Sequence, residues 1–255
     1  MGVDLAGVVE AAGAHAARFI PGDEVFGQLI VPPLGSTGTY AERVAAPEDA
    51  DLARVPRGMD ATTAAALPTA GGTALDITDH LEPLGGKTVL IVGAAGGVGS
   101  FLTQLTASAG ASVITVAPAG EADRMRRYGA AENLDRAAVS IAGAVRSAHP
   151  QGIDVLIDLA SDAGRFATLA SLVRRGGTAL TTGYVADADA LGTADVTGIN
   201  FSVGMTPRLL ARLADEIMSG RCAPPPITTV KFADIPGLVA KTGAGPGGKT
   251  VILVS

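Results

Sequence analysis

Apolar residues follow two textures along the chain. From Val3 to about Val55 they alternate with polar residues or come in short runs, without helical spacing. Val3-Asp4-Leu5-Ala6-Gly7-Val8-Val9-Glu10 reads as a strand, Pro21-Gly22-Asp23-Glu24 as a turn, and Val25-Phe26-Gly27 resumes a strand. Gly38-Thr39-Tyr40-Ala41-Glu42-Arg43-Val44 alternates with period two and predicts a half-buried strand. Asp60 predicts the N-cap of a helix over 61–67 that Pro68 ends. A second helical pattern follows Gly71-Gly72 through Ala74, Leu75, Ile77, Thr78 and Leu81.

The second texture alternates buried strands with helices. Thr88-Val89-Leu90-Ile91-Val92 is a continuous apolar run, as in a strand covered on both faces of a parallel sheet. Val98, Phe101, Leu102, Leu105 and Ala109 recur at helical spacing. Ser112-Val113-Ile114-Thr115-Val116 is a second strand, followed by a short helix over 124–128 and a longer one near 139–148. Val155-Leu156-Ile157-Asp158 and Thr178-Ala179-Leu180-Thr181 are further strands, with Phe166, Leu169 and Leu172 on a helix between them. Leu210, Leu213 and Ile217 share one face of a helix after Pro207. Strands without intervening helices predict a β unit, and the alternation predicts a doubly wound α/β sheet. The tail, from Ile227 through Val254, returns to strands and is expected to rejoin the first β unit.

Composition narrows the function. At 47% hydrophobic and 17% charged residues the chain is neither disordered nor a coiled coil. A net charge of −6, with no Lys/Arg block beyond a pair, argues against a nucleic-acid partner. No apolar run approaches the ~18–20 residues of a membrane helix. The start, Met1-Gly2-Val3-Asp4, lacks the basic stretch of a signal peptide, so a soluble, cytoplasmic protein is expected. One cysteine, Cys222, permits neither an internal disulfide nor a cysteine cluster for zinc, and His15, His80 and His149 are far apart.

The candidate chemistry lies in Gly93-Ala94-Ala95-Gly96-Gly97-Val98-Gly99, which leaves a buried strand and opens a helix. A tight turn needs residues with little or no side chain. Close approach to a pyrophosphate needs no Cβ at Gly96 and Gly97. Tight packing of helix on strand suits Gly99. Phosphates would then meet the free N–H groups and positive end of the helix dipole. An NAD binder places an acid at the end of the second strand to bond the ribose hydroxyls. Here that strand ends in Val116-Ala117-Pro118-Ala119, with Arg124, Arg126, Arg127 and Arg136 beyond. The missing carboxylate and the nearby arginines favour NADPH; Glu121 and Asp123 leave NADH open.

Gly2-Val3-Asp4-Leu5-Ala6-Gly7-Val8-Val9 and Pro21-Gly22-Asp23-Glu24-Val25-Phe26-Gly27 resemble the medium-chain dehydrogenase/reductase superfamily. Gly38-Thr39-Tyr40-Ala41-Glu42, Ala65-Ala66-Leu67-Pro68, Gly72-Thr73-Ala74, the glycine segment and Gly247-Gly248-Lys249-Thr250-Val251 are similar to its zinc-free quinone-oxidoreductase-like branch. The resemblance implies a Rossmann doubly wound parallel sheet plus a partial GroES-like β domain. The β domain would take 1–66 and 227–255, and the NADP-binding domain 67–226. Members of the branch carry some fifty residues ahead of the position of Gly2, including first strands of the β domain. The resemblance therefore implies either a misassigned start or an incomplete catalytic domain.

It further implies hydride transfer from NADPH to a quinone or α,β-unsaturated carbonyl, without zinc, in a homodimer paired through the Rossmann sheet. By position, Thr73 would sit near the nicotinamide or its phosphate, and Gly96, Gly97 and Val98 at the pyrophosphate. Arg124 or Arg127 would meet the 2′-phosphate. Ser161 and Gly183-Tyr184 would lie where the cofactor crosses the sheet edge, and Tyr184 is the candidate catalytic hydroxyl. The alternatives are an enoyl-thioester reductase of a polyketide or fatty-acid pathway and a non-catalytic NADPH-binding protein.

Overall fold

The computed structural model describes residues 2–30, 38–239 and 248–254. They group into two units, Met1–Thr73 with Gly204–Ser255, and Ala74–Val203. In the first, β1 (Asp4–Val8), β2 (Glu24–Gln28) and β3 (Asp51–Arg54) form an antiparallel sheet in that order. Leu29, Ala50 and Leu52 make its small core, with Leu5 and Phe19 packed alongside. Asp60 caps α1 (Ala61–Ala66), accepting from Thr63 N at 2.9 Å. The side chain of Asp4 accepts from Thr69 N at 3.0 Å and meets Lys249 Nζ at 3.3 Å. It thereby ties β1 to the start of α2 (Pro68–Leu81) and to the strand that begins at Lys249.

Two expectations need correction here. Residues 38–44 form no strand. Thr39 N donates to Gly2 O at 3.2 Å, but the segment joins no ladder in the sheet β1-β2-β3, and Tyr40 and Val44 are exposed. A period-two pattern makes a strand only where a neighbour takes its hydrogen bonds. The second helix begins at Pro68 and runs through Gly71-Gly72 rather than after them. Pro68 suits a first helical position, where its missing N–H costs nothing. The glycines are there for packing: a Cβ on Gly71 would lie 2.6 Å from Leu213 Cδ2, and one on Gly72 2.5 Å from Met205 Cε.

The second unit is a six-stranded parallel sheet. It comprises β4 (Thr88–Val92), β5 (Ser112–Val116), β6 (Glu132–Leu134), β7 (Ile153–Asp158), β8 (Val173–Thr181) and β9 (Thr197–Asn200). The order across it is β6-β5-β4-β7-β8-β9. Helices α3 (Gly97–Ser108), α4 (Ala122–Arg127), α5 (Ile141–Ala148), α6 (Ala163–Ala170) and α7 (Ala188–Thr193) connect the strands. Leu90, Ile114, Val145, Leu156 and Phe166 belong to one buried cluster. Each such side chain is worth roughly 1.5–3 kcal/mol for leaving water.

The chain then enters α8 (Pro207–Met218), capped by Thr206. Residues 67–73 and 204–226 group with the first unit rather than with the expected span 67–226. Met205 and Leu213 against the two glycines of α2 are the packing that places them there. The tail forms a parallel pair, β10 (Ile227–Lys231) with β11 (Lys249–Leu253). Gly247 of the ending motif lies outside the described residues.

Candidate cofactor-binding site

Strand order creates the site. From β4 the chain goes outward to β5 and β6, then returns to place β7 on the other side of β4. The carboxyl ends of β4 and β7 therefore flank a switch point, where open α/β sheets bind ligands. The glycine segment leaves β4 at that point. Gly93 has φ +82°, the left-handed region glycine tolerates, and a Cβ there would lie 3.2 Å from Ala160 Cβ. Gly96 N donates to Gly93 O at 3.1 Å, closing the turn. Gly96 is also the N-cap of α3 and offers no side chain to satisfy the helix's first N–H groups. Gly99 is buried, and a Cβ there would come within 2.5 Å of Ala94 Cα. The N–H groups of Gly97, Val98 and Gly99 open α3 without helical carbonyls to bind. Together they present unpaired N–H groups at the positive end of the α3 dipole.

Beside it, Ala119 N donates to Asp135 Oδ2 at 3.0 Å, pinning the exit of β5. Arg124 sits in α4 but is buried. Its Nη2 donates to Ala95 O and its Nη1 to Ser100 Oγ, both at 2.9 Å, and Nε meets Glu121 Oε2 at 2.6 Å. Arg126 pairs with Asp123 at 2.6 Å. Arg127 is exposed and forms no ion pair with any described residue.

Two further loops reach the same sheet edge. Asp158 ends β7 fully buried, and its Oδ1 accepts from Ala160 N at 3.0 Å and Ser161 N at 2.9 Å. This turn fixes the half-buried Ser161. Beyond β8, Gly183 N donates to Thr181 Oγ1 at 3.0 Å, and a Cβ on Gly183 would lie 3.9 Å from Ser161 O. The next residue, Tyr184, holds φ at 56° and is 62% exposed. Left-handed backbone at a bulky residue is uncommon. The structure thus gathers Gly93, Gly96, Gly97, Val98, Gly99, Ser161, Gly183 and Tyr184 at one edge. Thr73 is buried inside α2, in the first unit. Sequence reasoning missed Asp158, although an acid ending an otherwise apolar strand was a readable signal. A separate groove of about 1500 Å³ opens in the first unit, lined by Leu5, Phe19, Tyr40 and Val44 among others, and includes none of these loop residues.

Residues 97–208 match the family model for zinc-binding dehydrogenases. The mitochondrial NAD(P)H oxidoreductase RTN4IP1 of Bos taurus is 29% identical, with all of this chain covering 70% of that one. The quinone oxidoreductase of Coxiella burnetii has the same fold, with a TM-score of 0.87 over all of this chain and 79% of its own, at 23% identity. Mycobacterial Rv1454c, whose structure is described as complexed with NADPH, is 28% identical, with a TM-score of 0.78 over 91% of this chain and 75% of its own. The chain is therefore similar to zinc-binding dehydrogenases over 97–208 and to an NAD(P)H oxidoreductase over its whole length. Its fold is shared with solved quinone oxidoreductases. Zinc in the family model's description meets a poor donor set: the matched segment contains one histidine, His149, and no cysteine. Among the described residues no three His, Cys, Asp or Glu converge. Nor does any described helix have the length and apolarity to cross a membrane.

Proposed function

We propose that the chain is an NADPH-dependent oxidoreductase that reduces a quinone or α,β-unsaturated carbonyl without zinc. The observation that carries this is the glycine turn at the switch point, with three helix N–H groups left without helical carbonyls and no space at Gly99 for a side chain. Support comes from a relative named as an NAD(P)H oxidoreductase and a neighbour described as complexed with NADPH. When bound, the dinucleotide supplies a hydride; the protein supplies orientation, worth ~7–11 kcal/mol in well-aligned reactions.

Gly97, Val98 and Gly99 would receive the pyrophosphate on their N–H groups. The exposed guanidinium of Arg127 would meet the 2′-phosphate, since β5 ends without a carboxylate to repel it. Ser161 and Gly183 would border the cofactor along the sheet edge. Tyr184 would hand a proton to the reduced product, with water as its relay. A second copy pairing along the exposed edge of β9 completes the proposal.

The test is NADPH consumption against a panel of quinones, enones and carrier-bound enoyl thioesters. Turnover of free quinones or enones supports the proposal. Turnover of the thioesters alone replaces it with enoyl reduction, and saturable NADPH binding with no turnover replaces it with a binding protein.

A further inference from the structure

Arg124 is charged at any physiological pH, and its side chain is only 9% exposed. A buried guanidinium needs acceptors for its donors and a counter-charge, or it destabilises the fold. Each of its three nitrogens has a partner: Glu121 Oε2 on Nε, Ser100 Oγ on Nη1 and Ala95 O on Nη2. The guanidinium carbon also lies 5.7 Å from the centre of the Tyr128 ring. These acceptors come from three places: the turn before α4, the body of α3, and the middle of the glycine segment. Ser100 is fully buried, so its bond lies in the interior.

We propose that Arg124 is a positioning residue for the pyrophosphate, a strut that holds the segment 93–99 in its binding shape, with Glu121 as its counter-charge. The proposal rests on the dinucleotide reading above. The peptide between Ala95 and Gly96 is planar, so its C=O and N–H point opposite ways. Arg124 holds the C=O at one end, and Gly93 O accepts the N–H at the other, at 3.1 Å. With that plane fixed at both ends, the next three N–H groups are aimed by the helix that follows. A bond from a charged donor is about twice as strong as a neutral one, which suits a turn of small residues that has few side chains to pack. The same geometry removes Arg124 from direct contact with a 2′-phosphate. Its nitrogens are committed inward, and the pair with Glu121 carries no net charge. Arg127, exposed on the same helix, is left for that role.

The experiment titrates wild type, Arg124→Met, Arg124→Lys, Ser100→Ala and Glu121→Gln with NADPH, NADH, ADP-ribose and adenosine 2′-monophosphate, with a thermal melt of each. The strut predicts that Arg124→Met weakens NADPH, NADH and ADP-ribose by the same factor, about tenfold or more. Adenosine 2′-monophosphate, which has no pyrophosphate, keeps its affinity. Arg124→Lys recovers part of the loss, and Ser100→Ala and Glu121→Gln show the same pattern more weakly. Should Arg124→Met fail to fold, those last two variants carry the test. Loss confined to NADPH and adenosine 2′-monophosphate would overturn the strut and return Arg124 to the 2′-phosphate. Unchanged affinity for all four in folded variants would also overturn it. Wild type binding none of the dinucleotides would remove the reading beneath it, a result distinct from either.

Discussion

Cys222 shows what burial does to a reactive side chain. It is 2% exposed, and desolvation, followed by the nearby charge of Glu216, pushes its thiol up to about 12 from 9.0. The thiolate is the nucleophile, so this cysteine is inert at neutral pH. Alkylation should be slow in the native protein and fast in denaturant; rapid native labelling would contradict the burial. Stability follows the same shift. The folded value lies above the unfolded one, so the contribution is whole below pH 9.0 and is lost as pH rises from there toward about 12. At the cofactor edge, Arg127→Ala should lower NADPH affinity by about tenfold or less, as befits an exposed charge, and leave NADH unchanged in parallel titrations. Equal loss for both would place the phosphate elsewhere. Composition and spacing exposed both arginines but could not separate them. Two of Arg124's three acceptors lie 24 and 29 residues earlier in the chain, and only the fold brings them to α4.

Among elements, α3 and its turn are the most tightly constrained. Gly99→Ala would drive a Cβ into Gly93 O and Ala94 Cα, both backbone, so the helix must back away from its strand. Overpacking of this kind costs roughly 1–3 kcal/mol, and a lowered melting temperature together with lost cofactor binding should report it. At α1, Asp60→Ala removes the cap on Thr63 N and should cost about 1 kcal/mol in denaturant unfolding. Legibility tracked burial. β4 and β5 match their apolar runs end to end because both faces of each are covered. β6, α7 and β9 went unread: they are short, half-exposed and rich in small or polar residues, as in Thr197-Gly198-Ile199-Asn200. The paired glycines in α2 looked like a break, because nothing in the local pattern announces Leu213 and Met205. In the glycine segment Gly93 and Gly99 were legible, since a left-handed turn and a close helix–strand contact each select glycine. The shaping of the β7 and β8 exits by Asp158 and Thr181 was not.

Across the whole molecule, charge sets the response to acid. Burial alone would raise Asp154, but the N–H of Thr88 and the guanidinium of Arg174 outweigh it and hold the carboxyl below its usual range. Arg221 does the same for Glu216, chiefly through their hydrogen bonds, and Thr63 for Asp60. Each folded value is depressed, so the stability these groups lend is whole above their unfolded values of 3.8–4.5 and is lost as pH falls through the folded ones. Melting temperature should therefore be flat near neutrality and fall below about pH 4; a fall beginning near pH 6 would contradict this. Asp154 joins the start of β4 to β7, so acid loosens the sheet at the edge opposite the glycine turn. The most direct test of the central claim is a calorimetric titration of the chain with NADPH and with NADH. Saturable binding of one dinucleotide per chain, NADPH the tighter, is the expected result; a folded chain that binds neither would contradict it.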